Sequence, residues 1–275
     1  MPTPADARDR ASATYNAASD FYDTSPLGFW SYFGQRTIER LQLRNGDHIL
    51  DVASGTGASA LPAAKAVAPD GTVLAVDLAE KLLALARAKA IALNLNNIRF
   101  EQGDLMALDQ PDAKFDAVIC VFGIFFVPDM VAATRELWRM VRSGGKIAIT
   151  TWAADLFEPG NTIFWNSIHN VRPDLERQFN PWDRISEPTA LQQMLQQADV
   201  TNVEVEIENR LHRISGPDDW WAIVCGTGYR GTLEQLNTTD HELVRQFNYE
   251  QIQKQRVRAL QTNAIYAIGK KRAFR

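Results

Sequence analysis

The stretch Asp51-Val-Ala-Ser-Gly-Thr-Gly57 decides the fold of this 275-residue chain. It follows an apolar run from His48 that is typical of a β-strand, and it precedes an alanine-rich segment, 58–68, that is typical of a helix. The two glycines lack a Cβ, so the backbone can turn tightly and approach a ligand closely. The stretch therefore predicts a strand, a ligand-binding glycine loop and a helix in that order.

The same alternation of apolar runs and helical patterns continues along the chain. Further strands are predicted at 72–77, 97–101, 115–122 and 146–151, with helices between most of them. Such βαβ units form parallel sheets. We predict an α/β protein with a Rossmann-like, doubly wound, mainly parallel sheet, to whose edge late strands at 203–214 and 263–270 add in an antiparallel sense.

The pattern divides the chain into three regions of one domain. Residues 1–45 are predicted to form an N-terminal helical cap, and residues 46–152 the Rossmann-like core that binds the ligand. Residues 153–275 are predicted to supply helical cover inserts and the closing strands, with residues 216–262 largely helical. Because ligands bind at the carboxyl ends of parallel strands, we expect the cap and the inserts to lie over that edge.

Composition excludes several classes of partner and location. The 33 acidic side chains outnumber the 29 basic ones, which argues against a nucleic-acid partner. The longest apolar run, 117–127, is far shorter than the roughly 20 residues of a membrane span, so no membrane partner is predicted. Two cysteines are too few for a disulfide framework. With an N-terminus that lacks the apolar core of a secretory signal, these features predict a cytoplasmic protein.

Three aspartates are expected at the ends of three neighbouring strands. Asp51, beside the glycine loop, would repel a pyrophosphate but attract an ammonium or sulfonium group. Asp77 can accept both hydroxyls of a ribose or, alternatively, cap the helix that follows. Asp104 can meet the amino edge of an adenine or belong to a turn. No lysine follows the glycines, so the three acids favour a cationic adenosyl ligand over a phosphorylated one.

These motifs resemble those of the class I S-adenosylmethionine-dependent methyltransferases. The stretch 51–57 resembles their first motif, Asp77 their ribose acid and 103–105 their adenine segment. The stretches 115–122 and 141–149 resemble their fourth strand and the turn and strand after it. The resemblance covers residues 45–152 and implies a seven-stranded sheet with an antiparallel closing strand, with S-adenosyl-L-methionine as cofactor. The cofactor-binding residues that it implies are Asp51, Ala53, Ser54, Gly55, Gly57, Asp77, Leu78, Gly103, Asp104, Leu105, Val121 and Phe122.

Part of the chain also resembles the quinone-biosynthesis C-methyltransferases. The stretch Phe122-Gly-Ile-Phe-Phe-Val-Pro-Asp129 is similar to their Phe-Gly segment. The polar Arg-Asn pair expected inside that segment is replaced by Phe125 and Phe126, which counts against a quinone precursor as acceptor. The resemblance implies in-line methyl transfer, which needs a well-positioned acceptor and no metal, and the sequence shows no metal-ligand cluster.

Aromatic side chains are the candidates for an acceptor pocket, and the alternative is that they only pack the inserts onto the sheet. Such a pocket suits an apolar or planar molecule, or a cationic amine. Tyr15 and Tyr22 are candidates to close over the cofactor. No general base is evident from the sequence: His169 and His212 are weak candidates, and the favoured alternative for each is a surface imidazole or a core imidazole with a hydrogen-bond partner. The predicted pocket residues are Tyr22, Trp30, Phe125, Trp152, Trp165 and Trp182.

The leading interpretation is a methyltransferase that acts on a small, apolar or aromatic acceptor, with the acceptor atom (oxygen, nitrogen or carbon) left open. One alternative is a nicotinamide-dependent oxidoreductase, against which Asp51 and the lack of a Tyr-x-x-x-Lys pair both count. Another is a non-catalytic protein that binds S-adenosylmethionine. A protein acceptor also stays open, and the sequence does not indicate an oligomeric state.

Overall fold

A computed structural model describes residues 4–177 and 179–273 of the chain, in which strands and helices alternate through the first half. The strands are β1 (His48–Val52), β2 (Thr72–Asp77), β3 (Ile98–Gln102), β4 (Phe115–Val121), β5 (Val141–Trp152), β6 (Val203–Glu208), β7 (Leu211–Arg213), β8 (Ala259–Gln261) and β9 (Ala264–Lys270). The helices are α1 (Pro4–Ala17), α2 (Phe29–Leu41), α3 (Ala60–Val67), α4 (Glu80–Ala92), α5 (Met130–Met140), α6 (Gly160–Val171), α7 (Pro188–Gln197), α8 (Pro217–Cys225), α9 (Arg230–Leu233) and α10 (Thr238–Lys254).

Seven strands form one sheet in the order β3-β2-β1-β4-β5-β9-β6. The pairs from β3 to β5 are parallel, whereas β9 runs antiparallel to both of its neighbours. The central strand β4 is almost wholly buried, as its unbroken apolar sequence predicts. The Rossmann-like, mainly parallel sheet with an antiparallel closing strand is therefore confirmed.

The prediction of one strand over residues 203–214 was wrong. β6 ends at Glu208, and β7 leaves the sheet to pair with β8 in a separate two-stranded sheet. Arg210 causes the break, because its N–H donates to Asn263 Oδ1 at 3.1 Å and its carbonyl accepts from the N–H of Thr262 at 2.8 Å. The strand β8 also interrupts the largely helical segment predicted at 216–262. Two predicted boundaries also differ from the structure. The helix predicted from residue 58 begins at Ala60, and the strand predicted from residue 146 begins at Val141, directly after α5.

The N-terminal segment lies across the carboxyl edge of the parallel strands. In α1, the Ser12 hydroxyl donates to the Leu78 carbonyl at 3.3 Å. After α1, Asp23 accepts from Thr56 Oγ1 at 2.8 Å and from Lys89 Nζ at 2.9 Å. These contacts hold the segment against the glycine loop and α4. The three-region division stays a prediction, and residues 1–3, 178 and 274–275 of its first and third regions lie outside the described residues.

Candidate active site

A cavity of about 490 Å³ lies at the carboxyl ends of β1, β2, β3 and β4. The connections that follow these strands form its floor, as ligand sites in open α/β sheets require. Side chains from α1, from the segment after it and from α2 form its cover. The predicted residues that line the cavity are Ala53, Ser54, Gly55, Asp77, Leu78, Gly103, Asp104, Leu105, Val121, Phe122, Tyr22 and Trp30.

The glycine loop adopts a conformation that only some residues tolerate. Gly55 and Gly57 have φ values of 52° and 84°, and a Cβ on Gly57 would lie 2.9 Å from Leu61 Cγ. Ala53, which directly follows β1, has φ 54° although it carries a Cβ. Non-glycine residues rarely adopt this region, and those that do concentrate at functional sites. Gly57 itself lies behind the cavity wall, so its role is to shape the loop.

Asp77 is fixed by the backbone on both sides of its carboxylate. Oδ2 accepts from the N–H of Gly55 at 2.7 Å, and Oδ1 accepts from the N–H of Ala79 at 2.8 Å. Burial raises the pKa of Asp77, while these hydrogen bonds oppose the rise. Asp77 therefore forms an Asx-type turn with Ala79, the residue that precedes α4, and also lines the cavity. The predicted role as helix cap was wrong, because Ala79 itself occupies the N-cap position and receives the hydrogen bond in place of the first turn of α4. The ribose contact stays a prediction.

Asp51 lies one side chain behind the cavity wall. It has no exposed surface, and its Oδ2 accepts from the Ser59 hydroxyl at 2.6 Å. Ser59 lines the cavity. Among the described residues no group hydrogen-bonds to Asp51 Oδ1, and burial raises the pKa of Asp51 to about 7. Asp51 thus differs from Asp77 in having an unpaired, fully buried oxygen.

Asp104 forms a tight turn at the third strand end. Its Oδ1 accepts from the N–H of Met106 at 2.9 Å, which is an Asx-type turn. Asp104 and Met106 both line the cavity. The turn therefore places an acidic side chain and an exposed apolar one side by side at this rim.

An aromatic wall closes the cavity on the side of the cap. Tyr22 stacks on Trp30 with ring centroids 5.2 Å apart and planes 2° apart. Tyr15 meets Tyr22 and Phe126 edge to face, at 6.2 Å and 5.5 Å. Burial and the nearby Asp77 carboxylate raise the pKa values of Tyr15 and Tyr22, so both phenols stay protonated at neutral pH. They can donate hydrogen bonds into the cavity but do not accept protons there.

Four of the predicted pocket aromatics lie outside the lining. Phe125 packs edge to face on Trp182 at 5.6 Å. Trp152 stacks on the back of Phe122 at 3.7 Å, and Trp165 packs against Phe164 at 5.1 Å. These side chains support the wall or fix the inserts to the sheet, which is the packing alternative that the sequence left open.

Neither candidate histidine lines the cavity. His212 is buried, its Nε2 donates to the Pro26 carbonyl at 2.7 Å, and burial lowers its pKa. This contact fixes β7 to the segment before α2. His169 is exposed and its Nδ1 lies 2.7 Å from Glu176 Oε2. Both imidazoles therefore have structural partners away from the candidate site.

Sequence reasoning missed several lining residues. Thr56 and Ser59 stand within or just after the quoted loop, and Asp129 ends the Phe-Gly stretch, so their positions could have indicated them. Arg8 and Ser12 lie on the polar helix α1, which carries no motif. Their presence in the cavity depends on how α1 crosses the sheet edge, and the local sequence does not encode that crossing.

Comparison with known proteins places the chain among methyltransferases. A family model described as a methyltransferase domain matches residues 49–145. A demethylmenaquinone methyltransferase of Lactobacillus johnsonii is 31% identical over 192 residues, which are 64% of this chain and 77% of that protein. One from Listeria monocytogenes is 31% identical over 137 residues, which are 50% of this chain and only 56% of that protein. Among solved structures, phosphoethanolamine N-methyltransferase 2 of Haemonchus contortus, in complex with S-adenosylhomocysteine, shares the fold with a TM-score of 0.61 and 16% identity, over 99% of this chain and 61% of that one.

Proposed function

Because this chain belongs to the class I S-adenosylmethionine-dependent methyltransferases, we propose that it methylates a small acceptor with an apolar or aromatic body. The observation that carries the proposal is the lining of the cavity, in which the glycine loop and Asp77 occur together with the aromatic side chains of Tyr15, Tyr22, Trp30 and Phe126. One half of such a cavity suits an adenosyl cofactor and the other a planar acceptor.

The residues present fit S-adenosylmethionine. In the proposed complex Asp77 accepts hydrogen bonds from the ribose hydroxyls and the turn at Asp104 borders the adenine. The Ser54 hydroxyl lies buried beside the loop with no hydrogen-bond partner among the described residues. Among the described lining residues the only basic side chain is Arg8, which is paired with Asp9. An acidic lining of this kind favours a cationic ligand over a phosphorylated one.

The bound cofactor supplies a methyl group that is already activated on a positively charged sulfur. The chain's own task is then to hold the acceptor in line and to keep water out. The lining phenols donate hydrogen bonds, and no histidine is among the described lining residues. We therefore propose an acceptor atom that needs no strong base, such as an acidic phenol, an enol or an uncharged amine.

The apolar side chain of Phe126 restricts the class of acceptor molecule that the cavity suits. It lines the cavity at the place where the quinone-biosynthesis relatives are expected to carry a polar residue, and its neighbour Phe125 packs on Trp182. The names of the demethylmenaquinone methyltransferases that resemble this chain still point to a planar ring as a fitting shape. The proposal is a planar, largely apolar acceptor with few hydrogen-bonding groups at this wall.

A transfer assay with methyl-labelled S-adenosylmethionine tests the proposal. Phenols, hydroxynaphthoquinols, aromatic amines and a poly-lysine peptide are offered in parallel, and transferred label is counted. We expect label on at least one planar small molecule and a KM for it that rises about tenfold in Phe126→Ala, from lost apolar contact. Phe179→Ala, an exposed phenylalanine outside the cavity, is the matched control. Label on the peptide alone, or cofactor binding with no transfer to any acceptor class, would overturn it.

A further inference from the structure

Asp51 is a buried acid with no positive partner. Its strand neighbours in register, Ala75 and Ile119, are apolar. The titratable groups that face it are Asp77 from the end of β2 and Cys120 from β4, and neither is cationic. The hydrogen bond that Asp51 accepts among the described residues comes from the hydroxyl of Ser59, the residue that precedes α3. In such surroundings the ionised form of a buried carboxyl group is unfavourable in free energy unless a positive charge lies close to it.

The cavity is the place from which a positive charge can act on Asp51. Ser59 is buried, lines the cavity and donates its only hydroxyl proton to Asp51 Oδ2. Its oxygen lone pairs stay available to accept a hydrogen bond. One serine thus separates the acid from the cavity, and a charge there acts through a poorly screened interior.

We propose that Asp51 senses the charge of the cofactor, releasing a proton to solvent when the sulfonium form binds and taking one up when the neutral thioether product replaces it. The inference rests on the proposed function. In the transfer, an electron pair of the acceptor forms a bond to the methyl carbon while the bond between that carbon and sulfur breaks. The sulfur keeps the electron pair of the broken bond and loses its positive charge. The carboxylate then loses its stabilising charge and binds a proton again. Asp51 would thereby favour cofactor over product.

The direction of the pH dependence follows from burial. The pKa of Asp51 in the free protein is raised to about 7, so above pH 8 the carboxyl is ionised and ready for a cation. Below pH 6 its proton must leave first. If the cofactor complex keeps Asp51 ionised, the affinity for S-adenosylmethionine falls about tenfold from pH 8 to pH 6. The affinity for S-adenosylhomocysteine, which lacks the sulfonium charge, stays nearly constant.

Calorimetric titration with each ligand, in two buffers of different ionisation enthalpy, counts the protons exchanged. At pH 7 we expect about half a proton released with S-adenosylmethionine and none with S-adenosylhomocysteine. Asp51→Asn should remove the difference between the two ligands. The ligand amino group titrates near pH 8 in every variant, so subtracting the variant isolates Asp51. The matched control is Asp116→Asn, which changes an acid that pairs with Arg142 at the other end of β4.

A second variant and a direct probe keep the test decisive if Asp51→Asn fails to fold. The Ser59 hydrogen bond lowers the pKa of Asp51, so Ser59→Ala should move proton release to higher pH. Carbon-13 NMR of the carboxyl groups in the unaltered protein should show one aspartate that ionises on binding S-adenosylmethionine only. Equal proton counts for the two ligands would overturn the charge-sensing role alone. Absence of any binding of S-adenosylmethionine would instead contradict the proposed function.

Discussion

The aspartates at the strand ends differ in their hydrogen-bond partners and therefore in the roles that we expect for them. Both carboxylate oxygens of Asp77 accept hydrogen bonds from backbone N–H groups, so the fold fixes the position of this side chain. Among the described residues Asp51 has one hydroxyl partner and one oxygen without a hydrogen bond, and this difference from Asp77 is the basis of the proposed charge-sensing role. The sequence predicted both acids but not this difference, because the partners of each side chain come from the tertiary fold.

Replacement of Asp77 tests the predicted ribose contact. We expect Asp77→Ala to weaken binding of S-adenosylmethionine by about 1–3 kcal/mol, roughly 5- to 150-fold in Kd, through lost hydrogen bonds. Asp77→Asn keeps one acceptor oxygen and should lose less. Calorimetric titration measures Kd, and circular dichroism checks that α4 persists without the hydrogen bond from the N–H of Ala79 to Asp77. An unchanged Kd in a folded Asp77→Ala protein would leave Asp77 with only a structural role in the turn before α4.

Secondary-structure elements were predictable where the local pattern determined them. The strands from β1 to β5 follow from short apolar runs bounded by glycine and polar residues, and most boundaries agree within a few residues. The break between β6 and β7 was not predictable, because residues 203–214 keep a strand pattern and the turn depends on distant Asn263. The packing of α2 against residues 58–59, directly after the glycine loop, was not predictable either. It depends on the close approach of Gly34 in α2 to the Ala58 carbonyl group.

Gly34 in α2 tests this packing. A Cβ on Gly34 would lie 2.3 Å from the Ala58 carbonyl oxygen, so Gly34→Ala must push α2 away from residues 58–59. We expect the free energy of unfolding to fall by about 1–3 kcal/mol. Cofactor affinity should fall as well, because residues 58 and 59 line the cavity.

Gly28→Ala is the matched control for Gly34→Ala. A Cβ on Gly28 meets nothing closer than the Ser25 carbonyl oxygen at 3.4 Å, and its φ of −57° suits alanine. Urea unfolding and calorimetric titration measure both variants. If Gly34→Ala and the unaltered protein had equal free energies of unfolding, α2 and residues 58–59 would not be in close contact.

At the scale of the whole molecule, the described residues form two buried hydrophobic clusters, and the larger of them is shared by the cap, the sheet and the inserts. Phe29 from α2, Leu50 from β1 and Trp220 from α8 belong to the same buried cluster. The sequence indicated the three regions but not their common core, because that packing joins residues far apart in the chain. Among the described residues no helix is long and apolar enough to cross a membrane, and the cytoplasmic location stays a prediction.

The common core predicts that the chain unfolds as one unit. We expect a single transition in differential scanning calorimetry, since separating the cap or the inserts would expose part of the cluster. S-adenosylmethionine at about 100 times its Kd adds roughly 2.7 kcal/mol and should raise Tm by about 5–10 °C. Two transitions, with only one of them shifted by the cofactor, would show instead that the regions fold independently.

The position of Trp30 in the cavity wall means that tryptophan fluorescence can report on the cavity. Its indole forms part of the wall and stacks on Tyr22, whereas Trp152, Trp165 and Trp182 lie outside the lining. A ligand that displaces Tyr22 or covers Trp30 changes the surroundings of this fluorophore directly, whereas the other six of the seven tryptophans lie outside the described lining. Occupancy of the cavity can therefore be followed by intrinsic fluorescence without a label, and the same emission in a rapid-mixing instrument would give the rates at which cofactor enters and product leaves.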